Sequence, residues 1–185
     1  MTIELKGGGG GDTSELYSVL RDPNVTSTTV EAYSTTDQGQ AAWSLLNALS
    51  SDVLDSSTIF NAIVGSPSAM DVIFNNSVLF TAISTSENAM NIITNDTNVM
   101  TAVAASTSAM TVVAASSVAM TAVAASTTAM TAVIASSVAF PIIAASSVAM
   151  SAIAASATAM AIIAESNDAL AAIFADKTTR TIIWD

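Results

Sequence analysis

The chain has 185 residues, a formal net charge of −11, only four Lys or Arg, and neither Cys nor His. Four scattered cations cannot neutralise a nucleic-acid backbone or form a polybasic membrane patch. Without thiol or imidazole there is no disulfide, no thiolate nucleophile, no common zinc site and no His general base.

The N-terminus, Met1 to Lys6 followed by five glycines (Gly7–Gly11), lacks the basic start and apolar core of a signal peptide. The expectation is a soluble protein that does not use the general secretory route. Gly7–Gly11 reads as a linker or a close-packed glycine strand, and it lacks the Lys-Ser/Thr ending of a phosphate loop. Asp12-Thr-Ser-Glu15 has the form of a capping box. Leu16, Val19 and Leu20 follow at helical spacing, and Asp22-Pro23-Asn24 should stop that helix. A second helix is predicted from Asp37 to Leu49, with Ala42, Leu45, Leu46 and Leu49 on one face and Trp43 beside them. Residues 1–54 thus form a small helical region, expected to cap or dock whatever follows.

From residue 55 to 185 the chain is a ten-residue repeat. One series is Ile63, Ile73, Ile83, Ile93, Val103, Val113, Val123, Val133, Ile143, Ile153, Ile163, Ile173 and Ile183. A second runs Phe60, Met70, Phe80, Met90, then through Met130 to Phe140, Met150, Met160 and Leu170, and Arg180 breaks it. The third is polar: Ser56, Ser66, Asn76, Ser86, Asp96, then Ser from 106 to 166, and Asp176. Ser, Asn and Asp are the residues that cap free N–H groups at a helix start. Pro67 and Glu87, one residue further on, suit a first helical turn. Gly65, Asn75 and Asn95, one residue before the cap, suit a left-handed helix end.

One continuous helix is excluded by geometry. Ten residues turn through about 1000°, which misses whole turns by about 80°, so the apolar stripe would wind away from any partner. A strand is excluded because Ala-Met-Thr-Ala-Val-Ala-Ala has no two-residue alternation. The fold class is therefore mainly α, a solenoid-like array of helices about eight residues long. Within Ser116–Ala125, Ala119, Met120, Ala122 and Val123 share one face. A lone helix of this length is unstable, so neighbouring units must supply its stability.

The position before the Ile/Val series alternates with period twenty: Ala62, Val72, Ala82, Ile92, Ala102, Val112, with a slip at Ala122–Ala132. This predicts alternating surroundings, with consecutive helices reversing as hairpins. No charge occurs in the 68 residues from 97 to 164, which predicts several chains packed side by side to hide the Ala/Met/Val faces.

No residue is assigned to a catalytic, cofactor or metal site. Asp52 with Asp55, and Glu165 with Asp168, are spaced three apart but lack a neighbouring cation, and they read as solvated helix ends. The methionines share the core position with Phe and Leu, which makes them packing residues and not soft-metal ligands. Thr101, Thr111, Thr121 and Thr131, with Thr81 and Thr181 in phase, form a ladder that raises an alternative, an ice-binding surface. A bacterial adhesin stalk is a further alternative.

Units such as Ser106-Thr-Ser-Ala-Met-Thr-Val-Val-Ala-Ala115 and Ser146-Ser-Val-Ala-Met-Ser-Ala-Ile-Ala-Ala155 resemble the Ser/Ala/Met/Val decapeptide arrays of tailed-bacteriophage fibre and other virion appendage proteins. The likeness covers Ser56 to Asp185. It implies a virion structural protein, not an enzyme, that uses no cofactor and assembles as a homotrimer. Residues 1–54 would dock to other virion proteins and the repeats would form the shaft. The family's receptor-binding tip has no counterpart here.

Overall fold

The computed structural model describes residues 13–35, 38–175 and 180–182, and the described residues are mainly helical. Sixteen short helices occur between Thr13 and Ala175, and residues 180–182 are helical as well. The capping-box residue Asp12 and the glycine run lie outside the described residues, as do Asp37 and Asp176.

Four helices precede the repeats: α1 (Thr13–Leu20), α2 (Ser27–Ser34), α3 (Gln38–Ala48) and α4 (Ser51–Leu54). The sequence predicts α1 and α3; it does not predict α2, whose Ser, Thr and Val residues are poor helix formers. Tertiary packing overrides that preference. Thr26 caps α2 by accepting from Thr29 N–H, Val30 is fully buried, and the helix packs on the first two repeat helices.

The repeat helices follow one rule: each stacks on the helix three units further along, 30 residues away, except that a groove separates α6 (Pro67–Phe74) from α9 (Thr97–Ala105). One face of the stack comprises α5 (Ser57–Val64), α8 (Glu87–Asn95), α11 (Ser117–Ala125) and α14 (Ser147–Ala154). A second comprises α6 (Pro67–Phe74), α9 (Thr97–Ala105), α12 (Thr127–Ala135) and α15 (Ala157–Glu165). The third comprises α7 (Ser77–Ile83), α10 (Thr107–Ala115), α13 (Ala139–Ala144) and α16 (Asn167–Ala175). Consecutive helices meet at 98–100° where the angle is measured, at α9/α10, α11/α12 and α14/α15. The chain therefore advances as a three-sided coil, and the expected hairpins do not form. A reversal needs a bend near 180° and an exchange of partners every second unit; a turn near 100° instead brings the chain round after three.

Each corner is a single extended residue. Ser106, Ser116 and Ser126 have φ between −91° and −99° and ψ between 114° and 120°. The residue before the cap stays right-handed, with φ −73° at Gly65 and −89° at Asn75. This corrects the expected left-handed ends: the extended cap makes the turn, so the Ala of later units is accommodated without strain. Gly65 answers a different demand. A Cβ there would lie 2.8 Å from Ser27 Cβ of α2, so glycine permits the close approach of the two helices. Pro141 shortens one unit. It lacks the N–H that would close the first turn of its helix on residue 137, so α13 begins only at Ala139, and the Phe140 N–H to Ser136 carbonyl bond lengthens to 3.4 Å.

The Met and Ile/Val series fill the centre of the coil, with Met100, Met110, Met120, Met130, Val103, Val113, Val123 and Val133 all inaccessible to solvent. Ala109, Ala119 and Ala129 are equally buried and let the helices close on the core. One continuous core runs from Leu16 to Ile173, so α1–α4 share it with the repeats. A single chain thus hides the Met and Ile/Val faces by itself. Burying these side chains therefore requires no second chain, because the third-neighbour stack supplies the partner. Among the described residues, no single helix is long and apolar enough to cross a membrane.

Candidate functional site

The corner serines hold two positions at once. Ser106 Oγ accepts from Ala109 N–H at 3.2 Å, which caps α9's successor, α10. The same hydroxyl donates to the Phe74 carbonyl at 3.0 Å, 32 residues back in the preceding coil. That carbonyl ends α6 and has no partner within its own helix. The pattern repeats from Ser116 to Ser84, Ser126 to Thr94, Ser136 to Ala104, Ser146 to Ala114 and Ser156 to Ala124, at 2.5–2.8 Å. Serine is the small capping residue that can accept and donate together. The sequence marks these serines as caps; their second bond is invisible without the coil, because only stacking brings residue 32 positions back to the corner.

The threonine series does not make a ladder. Coil geometry puts Thr121 on the first face, Thr101 and Thr131 on the second, and Thr81 and Thr111 on the third. Along the second face the same position reads Asp71, Thr101, Thr131, Ala161. Their hydroxyls turn back on their own helices: Thr81, Thr101, Thr111 and Thr121 donate to the carbonyls of Ser77, Thr97, Thr107 and Ser117 at 2.6–2.8 Å. Together with exposed Ala105, Ala115, Ala125 and Ala135, this leaves an outer surface of methyl groups and small neutral side chains.

The carboxylates disperse to separate tasks. Asp52 pairs with Arg21 across the junction of α1 and α4, and also accepts from Ser50 Oγ. Its carboxyl titrates below the ordinary range, first because of the Ser50 hydroxyl and then because of Arg21. Asp55 accepts instead from Ser86 Oγ at 3.1 Å, so the spaced pair does not act together. Asp71 accepts from Asn75 Nδ2, and Asp96 caps α9 through the N–H groups of Asn98 and Val99. Glu165 ends α15, while Asp168 lies in the first turn of α16. Among the described residues, no three His, Cys, Asp or Glu side chains gather as metal ligands.

One polar contact is not foreseen from the sequence. Glu31 of α2 reaches the N-terminus of α6, where its Oε2 accepts from Ser66 Oγ at 2.6 Å and Ser68 N–H at 3.0 Å, and its Oε1 accepts from Ser68 Oγ. These hydroxyl and amide donors hold its carboxyl below the ordinary range, the Ser66 hydroxyl most of all. The carboxylate therefore serves as a second cap, donated by the N-terminal region to the repeats. No family model and no curated protein matches this chain.

Proposed function

We propose that this chain is a structural subunit of a tailed-bacteriophage virion appendage, with the repeats as a spacer shaft and no reaction to catalyse. The observation that supports this most is the serine ladder. From Ser106 to Ser156 each corner serine satisfies a helix-end carbonyl of the preceding coil, so length is set by the number of units added, three per coil. At a stacking distance of about 10 Å per coil, the described repeats build a rod of about 40 Å. In this reading residues 1–54 dock to other virion proteins, and copies associate side by side as a homotrimer. Exposed Val118 and Val148, in register on the first face, and the charge-free surface from 97 to 164 favour lateral contact between copies. The resemblance of the units to virion appendage repeats supplies the particle and the number three.

The test is mass spectrometry of purified particles from the host that carries the gene, together with sedimentation velocity of the isolated protein. The reading expects the chain among the virion proteins, its gene among phage structural genes, and a trimer in solution. A chain found only on the bacterial cell surface would make it an adhesin stalk. Thermal hysteresis in the purified protein would restore the ice-binding alternative, which the distribution of the threonines over three faces argues against.

A further inference from the structure

Carboxylates divide unequally among the three faces of the coil. The second face carries Asp71 on α6 and Glu165 on α15, with Asp96 at the corner into α9. The first face carries Glu87 at the start of α8, and beyond it α11 and α14 hold no charge. The third face is neutral from α7 to α13 and meets Asp168 on α16. Between Arg21 and Lys177 the sequence holds no Lys or Arg. Two shafts brought together over their second faces therefore set carboxylate against carboxylate, and a chain of net charge −11 meets its own copy best where the face is neutral.

The two neutral stretches differ in relief. On the first face Val118 and Val148, 37% and 40% exposed, hold the same repeat position one coil apart. Each stands at the lip of a groove. The groove between α8 and α11, about 490 Å³, is lined by Val118, Ala122 and Ala125, with Glu87 and Asn91 on its far side. The groove between α11 and α14, about 470 Å³, is lined by Val148, Ser151 and Ala152, with Ser117 and Thr121 opposite. Valine and groove thus alternate with the period of the coil. On the third face the exposed Val78 and Phe174 stand three coils apart, and Pro141 shortens α13 between them.

We propose that copies of this chain meet through the first face, along α11 and α14, with the valines of one copy entering the grooves of another. This rests on the reading that copies associate, and it adds the surface they use. A second copy fits because its ridges repeat at the interval of the grooves, about 10 Å, and because it is neutral at the same level. A basic partner would be drawn instead to the acidic second face. In a trimer the first face of each copy turns toward the common axis. With α8, α11 and α14 each about 13 Å long and about 10 Å apart, the patch measures roughly 400 Å² in outline, about half of what each partner gives a stable pair. The contact is therefore weak and concentration-dependent.

Thr111, Thr121 and Thr131 hold one repeat position on α10, α11 and α12, hence on the third, first and second faces, and all three are exposed. The chain has no cysteine, so Thr111→Cys, Thr121→Cys and Thr131→Cys each place a single thiol on a single face. The test is sedimentation velocity of the native full chain from low to high micromolar concentration, then treatment of each variant with a short bismaleimide and a denaturing gel. The native chain should associate as concentration rises, and Thr121→Cys should cross-link several-fold more than the other two. Val118→Asp should sediment as a monomer at every concentration; Asp suits a first helical turn, so its circular dichroism should stay native. A native chain that remains monomeric throughout would overturn the association and the face with it. An oligomer that cross-links through Thr111→Cys or Thr131→Cys as readily as through Thr121→Cys, or that survives Val118→Asp, would overturn the face alone.

Discussion

Removing one hydroxyl, by Ser126→Ala, tests the architecture at its joint. Ser126 Oγ accepts from Ala129 N–H at 3.2 Å and donates to the Thr94 carbonyl at 2.7 Å. Loss of a serine cap costs about 1 kcal/mol, and leaving a shielded carbonyl without its donor costs about 1–3 kcal/mol. Ser126 is half-buried, so water recovers part of the second figure, and the expected loss is about 2–3 kcal/mol. The control is Thr121→Ala. That hydroxyl is exposed and serves only its own helix through the Ser117 carbonyl, while alanine is the better helix former, so the change should fall within about 0.5 kcal/mol of zero. Urea unfolding followed by circular dichroism at 222 nm reads both. Because repeat arrays can unfold in parts, hydrogen exchange should accompany it and show the loss concentrated at the start of α12 and the end of α8, which the Ser126–Thr94 bond joins. A Ser126→Ala protein no less stable than Thr121→Ala would refute the coil-to-coil role of the serines.

Val123 has no solvent exposure, and Val123→Asp should destabilise by several kcal/mol, as an unpaired buried charge does; an unchanged melting temperature would refute the packing. Gly65→Ala should cost about 1–3 kcal/mol, because the new Cβ meets Ser27 Cβ at 2.8 Å and α2 must give way. The loss should appear as faster hydrogen exchange in α2, with α11 and α12 unaffected. Glu31 gives a pH signature. Its folded carboxyl titrates below an unfolded glutamate, so its contribution is complete above about pH 5 and drains away as pH falls through about 4.3 toward the lower folded value. The stability gap between the native protein and Glu31→Gln should therefore shrink with acid; a gap constant from pH 7 to pH 3 would remove Glu31 from the capping role.

The sequence makes the helices legible, and it leaves their path open. Cap, apolar pair and period are local properties, so Ser116, Met120 and Val123 place α11 without any knowledge of its neighbours. Path is a property of the corner angle, and nothing in one unit distinguishes a bend near 100° from a reversal. That is why the serines read as caps and their bonds to Thr94 or Ala104 do not. The same gap explains the threonines: a ladder every ten residues becomes three short columns once the chain turns a corner after each. Glu31 and Gly65 were hidden for a related reason. Both respond to the contact between the N-terminal region and the repeats, and no periodic signal crosses that boundary.

The period-twenty alternation, which suggests hairpins in the sequence, has another cause in the coil. Stacked helices are three units apart, and three is odd, so any property that alternates from unit to unit also alternates from coil to coil on one face. The position before the Ile/Val series thus runs Ala62, Ile92, Ala122 along the first face, Val72 then Ala102 along the second, and Ala82 then Val112 along the third. Bulk in one coil is followed by alanine in the next. Grooves lie between stacked helices at this position whether it is small or bulky: at Ala102 against α6, Ala122 against α8 and Ala152 against α11, and also at Ile92 against α5. The slip at Ala122–Ala132 breaks this for one level of stacking only, where Ala102 is followed by Ala132, Val112 by Ile142 and Ala122 by Ala152. In a three-sided coil a single slip crosses all three faces before parity is restored, so the alternation is compatible with an odd number of helices per turn and needs no hairpin.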